Sequence, residues 1–242
     1  MNTAKLSMTK RFQILLDALS PCSVLADIGS DHGKLCIAAL EQEKCEYAIA
    51  ADISTRSLDK ARALAQKQGY ESRMDFRVGN GLRVLQEGEA GSIVIAGMGG
   101  RLIANILQEA PQCVQNAECL LLQPMQQSAD LRRYLREQSY GIASEWLIVE
   151  NNRFCEVIQV SARRMVDYPT DLDVRILDHI GPVLWRQHSC VLREKLKWEM
   201  TIMERKLLDI QAERTKNAHD SEREMAQRLQ LWQDMIETRW LP

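Results

Sequence analysis

The sequence predicts an α/β fold: a Rossmann-like, seven-stranded, mostly parallel sheet closed by an antiparallel hairpin, followed by a domain made of helices alone. Three observations carry this prediction. From residue 23 to about 138, short apolar runs alternate with helical patterns. At 141–162 the alternation gives way to two strand-like runs joined by Asn151-Asn152, a pair suited to the positive φ of a tight hairpin turn. From 171 to 240 no strand pattern remains, and apolar residues recur every three or four positions.

In chain order, residues 5–19 place Leu6, Phe12, Leu15, Leu16 and Leu19 on one helical face, with Lys5, Lys10 and Arg11 mostly off it. Strands are expected at 23–28, 46–52, 74–79, 92–97 and 118–123. Their Val, Ile, Leu and Ala runs suit strands buried on both faces, as a parallel sheet requires. Helices are expected at 33–43, 55–68, 100–109 and 127–138, and the hairpin at 141–150 and 153–162. Composition changes around Arg163, where Pro169 and an acidic stretch from Asp167 to Asp173 mark a boundary. The predicted domains are therefore 1–165 and 166–242. In the second, beyond a Gly181-Pro182 break, Leu192, Leu196, Met203, Leu207 and Ile210 recur at helical spacing. Met225, Leu229, Trp232 and Ile236 continue it, predicting two antiparallel helices in a short coiled coil. The polar stretch 214–224 reads as their turn or as a solvated helical segment.

Bulk composition narrows the function classes. A net charge of −2 excludes a globally cationic nucleic-acid binder, so any RNA role must rest on a local patch. Seven cysteines without a C-x-x-C pair argue against a zinc site or a disulfide framework and for a reducing compartment; no metal is expected. No signal-peptide core or membrane-length apolar run is found, which reads as a soluble cytoplasmic chain, expected to be monomeric and without membrane contact.

The most informative stretch runs from Val24 to Leu35: an apolar strand, a glycine-bracketed turn, then a helical pattern. Glycines there let a ligand approach the backbone at a helix N-terminus. Asp31 occupies the place of a second loop glycine, and its carboxylate opposes a pyrophosphate. It suits a ligand carrying an amine or sulfonium, such as S-adenosyl-L-methionine (SAM). The parallel sheet ending in an antiparallel hairpin agrees, because that is the arrangement of SAM-dependent methyltransferases.

Asp27, at the end of the first strand, is expected to order the loop and hold the amino-acid end of the cofactor; the plainer reading is a turn former. Asp52 ends the second strand and can accept both ribose hydroxyls, Ser54 being the better helix cap. Asn80, between Gly79 and Gly81, can reach an adenine amino group, although Asn-Gly is also a common turn. Gly97-Met98-Gly99-Gly100 follows the fourth strand, where amino-group methyltransferases often carry Asn or Asp before Pro-Pro. Here the glycines suggest an open floor for a flat ring, or tight helix–strand packing. His32 beside Asp31 reads as a general base or, more plainly, as a hydrogen-bonding residue. Lys5, Lys10, Arg11, Arg101, Arg132, Arg133 and Arg136 suggest a basic rim, and 186–206 carries six Lys/Arg against three Glu.

LADIGSDHGKL (25–35), GNGL (79–82), IAGMGGRLI (95–103), LLQP (121–124) and the ENNRF-E hairpin (150–156) together resemble the bacterial tRNA (adenine-N1)-methyltransferases that act on adenine 22. With the first helix and the helical tail, the resemblance covers essentially the whole chain. It implies SAM as cofactor, bound by Asp27, Gly29, Ser30, Asp31, His32 and Gly33, then Asp52, Asn80 and Gly81; Ile53, Gly97 and Met98 complete the expected cofactor set. It implies tRNA as partner, with the target adenine near Gly97–Arg101. Gly99, Gly100 and Arg101, with Lys10 and Arg11, are the expected substrate contacts, and Asp31 is the one carboxylate nominated for catalysis. Met125 and Cys155 depart from the family pattern, which has a polar Asn and an aromatic there. The alternatives are a SAM-dependent enzyme for another RNA base or a small molecule, or a non-catalytic SAM-binding module.

Overall fold

The computed structural model describes residues 8–161, 168–213 and 218–240. Lys5 and Leu6 of the first expected helix, Arg163 and Asp167 at the expected boundary, and 214–217 of the polar stretch lie outside the described residues.

Helix α1 (Lys10–Ala18) starts where Thr9 Oγ1 accepts from the Phe12 N–H, and it buries Leu15 and Leu16. Strands and helices then follow: β1 (Cys22–Ile28), α2 (Lys34–Glu41), β2 (Cys45–Asp52), α3 (Thr55–Gln68), β3 (Met74–Val78), then, after only a short 3-10 turn (Gly81–Val84), β4 (Ser92–Gly99) and α4 (Gly100–Glu109). A short helix α5 (Pro111–Asn116) not foreseen in the sequence follows, then β5 (Cys119–Gln126), α6 (Ser128–Glu137), β6 (Gly141–Glu150) and β7 (Arg153–Ser161). The helices α7 (Val174–Ile180), α8 (Pro182–Arg186), α9 (Cys190–Glu213) and α10 (Ala218–Trp240) complete the chain.

The seven strands form one sheet in the order β3-β2-β1-β4-β5-β7-β6. The first five are parallel, and β7 runs antiparallel between β5 and β6. Asn151 and Asn152 have φ of 49° and 58°, the conformation their hairpin turn requires. Alternate residues feed two cores: Ile93 and Ile95 of β4 join Leu120, Leu122, Ile103 and Leu107 on one face. Val94 joins Leu16, Leu25, Leu40 and Leu121 on the other. Strand order reverses between β1 and β4, and their C-terminal ends splay into the crevice where such sheets bind ligands.

The chain divides into two compact units, Met1–Val183 and Leu184–Pro242, whereas the sequence reading puts the break at 165/166. The difference has a physical cause. Arg132 of α6 is wholly buried and pairs with Glu145 (2.6 Å) and Glu156. Its Nη1 also donates to the carbonyls of Asp178 and His179 at 3.3 and 3.4 Å. Arg136 pairs with the Asp178 carboxylate at 2.8 Å, and Glu145 Oε2 accepts from the Val183 N–H at 2.8 Å. These bonds tie α7 to the sheet unit. They also remove Arg132 and Arg136 from the expected basic rim: both guanidiniums serve internal carboxylates.

In the second unit, α9 and α10 pack through Leu192, Leu196 and Met203 against Trp232, Met235 and Ile236, all buried. Arg239 lies over the Trp185 ring at 4.2 Å, and Trp240 meets Trp185 edge-on with centroids 5.7 Å apart. The end of α10 thus returns to the start of α9, so the pair is antiparallel. Among the described residues no helix is long and apolar enough to cross a membrane.

Candidate functional site at the crevice between β1 and β4

The loop after β1 is held by its own backbone. The N–H groups of Gly29 and Ser30 both donate to the Ala51 carbonyl at the end of β2, at 2.8 and 2.9 Å. Gly29 needs φ of +77° to do so, a conformation open to glycine at little cost. Asp31 follows at φ of 49°, which Asp tolerates better than most residues, and leaves its side chain 68% exposed at the mouth of the crevice. Gly33 closes the turn, its N–H bonding to the Ser30 carbonyl at 3.0 Å.

Asp27 is only 5% exposed, and Ser30 Oγ donates to its Oδ2 at 2.7 Å. Burial pushes its carboxyl up to about 6 from an ordinary 3.8; the Ser30 hydrogen bond pulls it down, and the charge of Asp52 adds to the rise. Cys36 Sγ lies 4.0 Å from the same oxygen, and burial raises that thiol well above its usual range, so it stays neutral. Asp52 Oδ1 accepts from the Ser54 N–H at 2.8 Å, and its Oδ2 accepts from the Asp31 N–H at 3.2 Å. His32 Nε2 sits 3.5 Å from Asp31 Oδ1 and 3.3 Å from Lys60 Nζ.

Across the crevice, the β4–β5 register slips between Ala96 and Gly99, forming a bulge. At its centre Gly97 has φ of +78°, and a Cβ placed on it would meet no atom within 4 Å. Its N–H donates to Gln123 Oε1 at 3.0 Å. That oxygen also accepts from Arg11 Nη1 at 3.2 Å, and Gln123 Nε2 donates to the Pro124 carbonyl at 3.1 Å.

Two adjoining lobes result, with cavity volumes of about 280 and 330 Å³. The first is lined by Asp27, Ser30, Asp31, His32, Gln123 and Arg11, with Phe12 and Leu15 of α1. The second is lined by Asp52, Ile53, Asn80, Gly81 and Met98, with Leu102 and Ile106 of α4. Gly29, Ala96 and Gly97 line both and form the seam between them. Together the lobes have the size and mixed polarity of a site for a cofactor-sized ligand.

The structure thus assembles most of the residues expected in the cofactor set, with Arg11 beside them. Gly33 lies behind the loop, where a Cβ would come within 2.9 Å of Ala61 Cβ. Lys10 is exposed on α1 and lines neither lobe. Gly99, Gly100 and Arg101 also line neither. Gly100 is buried, and a Cβ there would fall 2.1 Å from the Gln127 carbonyl oxygen, so its smallness serves packing. Arg101 pairs with Asp130 at 2.7 Å. Met125 Sδ lies 3.1 Å from Arg11 Nη1, while Cys155 is buried, its thiol raised by burial and drawn down by the charge of Arg11. Gln123 escaped the sequence reading of single residues; the signal was a lone carboxamide ending the apolar run Leu120–Leu122 beside the β4 glycines.

A model of the methyltransferase domain family matches residues 8–158. The tRNA (adenine(22)-N(1))-methyltransferase of Bacillus subtilis (strain 168) is 32% identical over 240 residues, covering 98% of this chain and 99% of the relative. The chain belongs to this methyltransferase family. The crystal structure of the B. subtilis M1A22 tRNA methyltransferase TrmK superposes with a TM-score of 0.86 at 30% identity, over 96% of this chain and 100% of that one. A Streptococcus pneumoniae relative, solved in complex with S-adenosyl-L-methionine, gives a TM-score of 0.82 at 28% identity, over 95% and 100%. M. capricolum TrmK, solved with S-adenosyl-homocysteine, shares the fold at 19% identity and a TM-score of 0.81, over 96% and 99%.

Proposed function

We infer that this chain transfers the methyl group of SAM to N1 of an adenine in tRNA, at position 22. The observation that carries this reading is the end-to-end match to the B. subtilis enzyme of that activity, covering sheet and helical tail alike.

The residues fit the cofactor. Asp27 is a buried acid whose ionised form calls for a cationic partner, such as the cofactor's ammonium or sulfonium. Each Asp52 oxygen holds one backbone N–H and keeps a lone pair for a ribose hydroxyl. Gly97 leaves an open cradle at the seam. On this reading the second lobe takes the adenosine, with Asp52 on the ribose, Asn80 on the base edge and Ile53 and Leu102 on the ring faces. The first lobe takes the methionine end and the entering nucleotide. Bound there, SAM supplies an already activated methyl on a sulfonium.

Adenine N1 carries a free lone pair, so no base is needed to start the reaction and in-line placement supplies most of the rate. Methylation leaves a positive charge on the ring, and Asp31, at the mouth of the first lobe, is the carboxylate assigned to offset it. N1 lies on the pairing edge of the base, so the target nucleotide enters unpaired or flipped out. Lys10, exposed at the start of α1, is assigned to the phosphates beside it.

The test is direct. Purified protein, labelled SAM and unmodified tRNA should yield N1-methyladenosine mapped to position 22. Unlabelled tRNA, or label on a different nucleoside, sinks the assignment. Transfer to a small molecule alone would move it to the second class of reaction.

A further inference from the structure

The geometry points to Gln123 as a positioning residue for the methyl-acceptor side of the site, acting with Arg11 as one unit. This inference rests on the methyl-transfer reading above and assigns the machinery that orients its acceptor.

Gln123 is 0% exposed. A carboxamide buried beside aliphatic residues is costly unless it is hydrogen-bonded, and this one is fully engaged. Its Oε1 accepts from the Gly97 N–H and from Arg11 Nη1, and its Nε2 donates to the Pro124 carbonyl and to Met125 Sδ. The side chain therefore ties three elements together at one lobe: the β4 bulge, the end of β5 and the first turn of α1. The bulge needs the tie, because the β4–β5 ladder breaks at Gly97 and a glycine at positive φ has no side chain to hold its peptide.

The consequence lies in the peptide plane. Ala96 and Gly97 share one planar trans peptide, so anchoring the Gly97 N–H to Gln123 turns the Ala96 carbonyl to the opposite side. As adenine N1 takes up a methyl, its exocyclic amine becomes a stronger hydrogen-bond donor and calls for an acceptor. Ala96 has no side-chain oxygen, so an acceptor from this position must come from the backbone, whose orientation Gln123 sets. Arg11 completes the unit: its guanidinium shares the same Oε1, and its own N–H donates to Glu150 Oε1 at 3.1 Å.

The experiment compares full-length wild type, Gln123→Met, Arg11→Ala and the double variant on unmodified tRNA, with SAM affinity measured by calorimetry and folding by thermal melting. Gln123→Met should lower kcat by about 10²-fold, the scale of a small misplacement at a reacting centre, with SAM affinity close to wild type and a lowered melting temperature, because the Gly97 N–H and Arg11 lose their acceptor. Arg11→Ala should also slow the reaction, and the double variant should be no slower than Gln123→Met, because two members of one unit are not additive. Wild-type kcat in Gln123→Met, a kcat loss matched by lost SAM affinity, or additive losses in the double variant overturns the inference. Should Gln123→Met not fold, Gln123→Glu keeps the shared acceptor oxygen and should hold kcat within about tenfold, the value of one such bond. A folded, SAM-binding but inactive Glu variant overturns the proposal equally. Failure of wild type itself to methylate tRNA counts against the functional reading instead.

Discussion

The backbone N–H of Asp31 donates to Oδ2 of Asp52 across 3.2 Å, joining the loop after β1 to the end of β2. One carboxylate thus has two tasks: it caps the Ser54 N–H through Oδ1 and steadies the neighbouring loop through Oδ2. Asp52→Ala should therefore weaken SAM binding by about 10²-fold, the worth of one or two hydrogen bonds to a charged group. Asp52→Asn can serve only one of the two N–H groups and should fall between that variant and wild type. Calorimetric titration reads both, and an Asn variant as weak as Ala would show that the one N–H bond it keeps contributes nothing.

Asp27 makes a pH prediction with a definite sign. Its carboxyl is pushed up to about 6 by burial, so the folded chain holds the proton more tightly than the unfolded one. As pH rises from about 4 to about 6, ionisation removes on the order of 3 kcal/mol of stability from the ligand-free protein. Asp27→Asn should escape this loss: near pH 4 the two proteins should match, and above pH 6 the variant should be the more stable. Denaturant titrations across that window test it. SAM affinity should behave oppositely, strengthening in wild type as Asp27 ionises and staying weak and flat in Asp27→Asn.

The buried Arg132 pairs make a third prediction. Arg132→Met would leave Glu145 and Glu156 buried without their cation, at a cost of about 3–5 kcal/mol. Because Arg132 also holds the Asp178 and His179 carbonyls, α7 should lose protection from hydrogen exchange before β1 and β4 do. Unchanged stability would mean that the pairs are offset by their own desolvation.

Gly100 separates packing from recognition. A methyl group there meets the Gln127 backbone, which has no rotamer with which to yield, so Gly100→Ala should cost about 1–3 kcal/mol. Its effect should appear in the melting temperature, with kcat on tRNA in the folded fraction little changed. A stable variant with impaired tRNA methylation would return Gly100 to the substrate contacts.

The strands were legible because each is a short apolar run ending in a turn signal, and the turn residues lie beside the side chains that matter. Asp27, Asp52 and Asn80 could be placed from local pattern alone, since strand ends in such a sheet converge on one crevice. Features set by distant partners were not legible. Helix α5 offers six residues and a leading Pro111, too short for a periodicity. The attachment of α7 depends on Arg132 meeting Asp178, 46 positions away. Gln123 depends on Arg11, 112 positions away, and on a register slip in β4 that no pattern announces. Gly100 shows the converse limit: a small residue can mean room for a ligand or tight packing, the sequence leaves both open, and the opposing Gln127 backbone decides.

The Ala51 carbonyl, which receives both the Gly29 and Ser30 N–H groups, has a consequence for inhibition. Because the protein's own backbone already shapes this turn, a competitor of the cofactor gains nothing by freezing it. On the proposed assignment, its affinity comes from filling the two lobes and matching Asp27 and Asp52. If Asp27 and Asp52 hold the cofactor as proposed, small compounds that reach across the Gly29–Gly97 seam, with a cation on one side and a diol on the other, should compete with SAM.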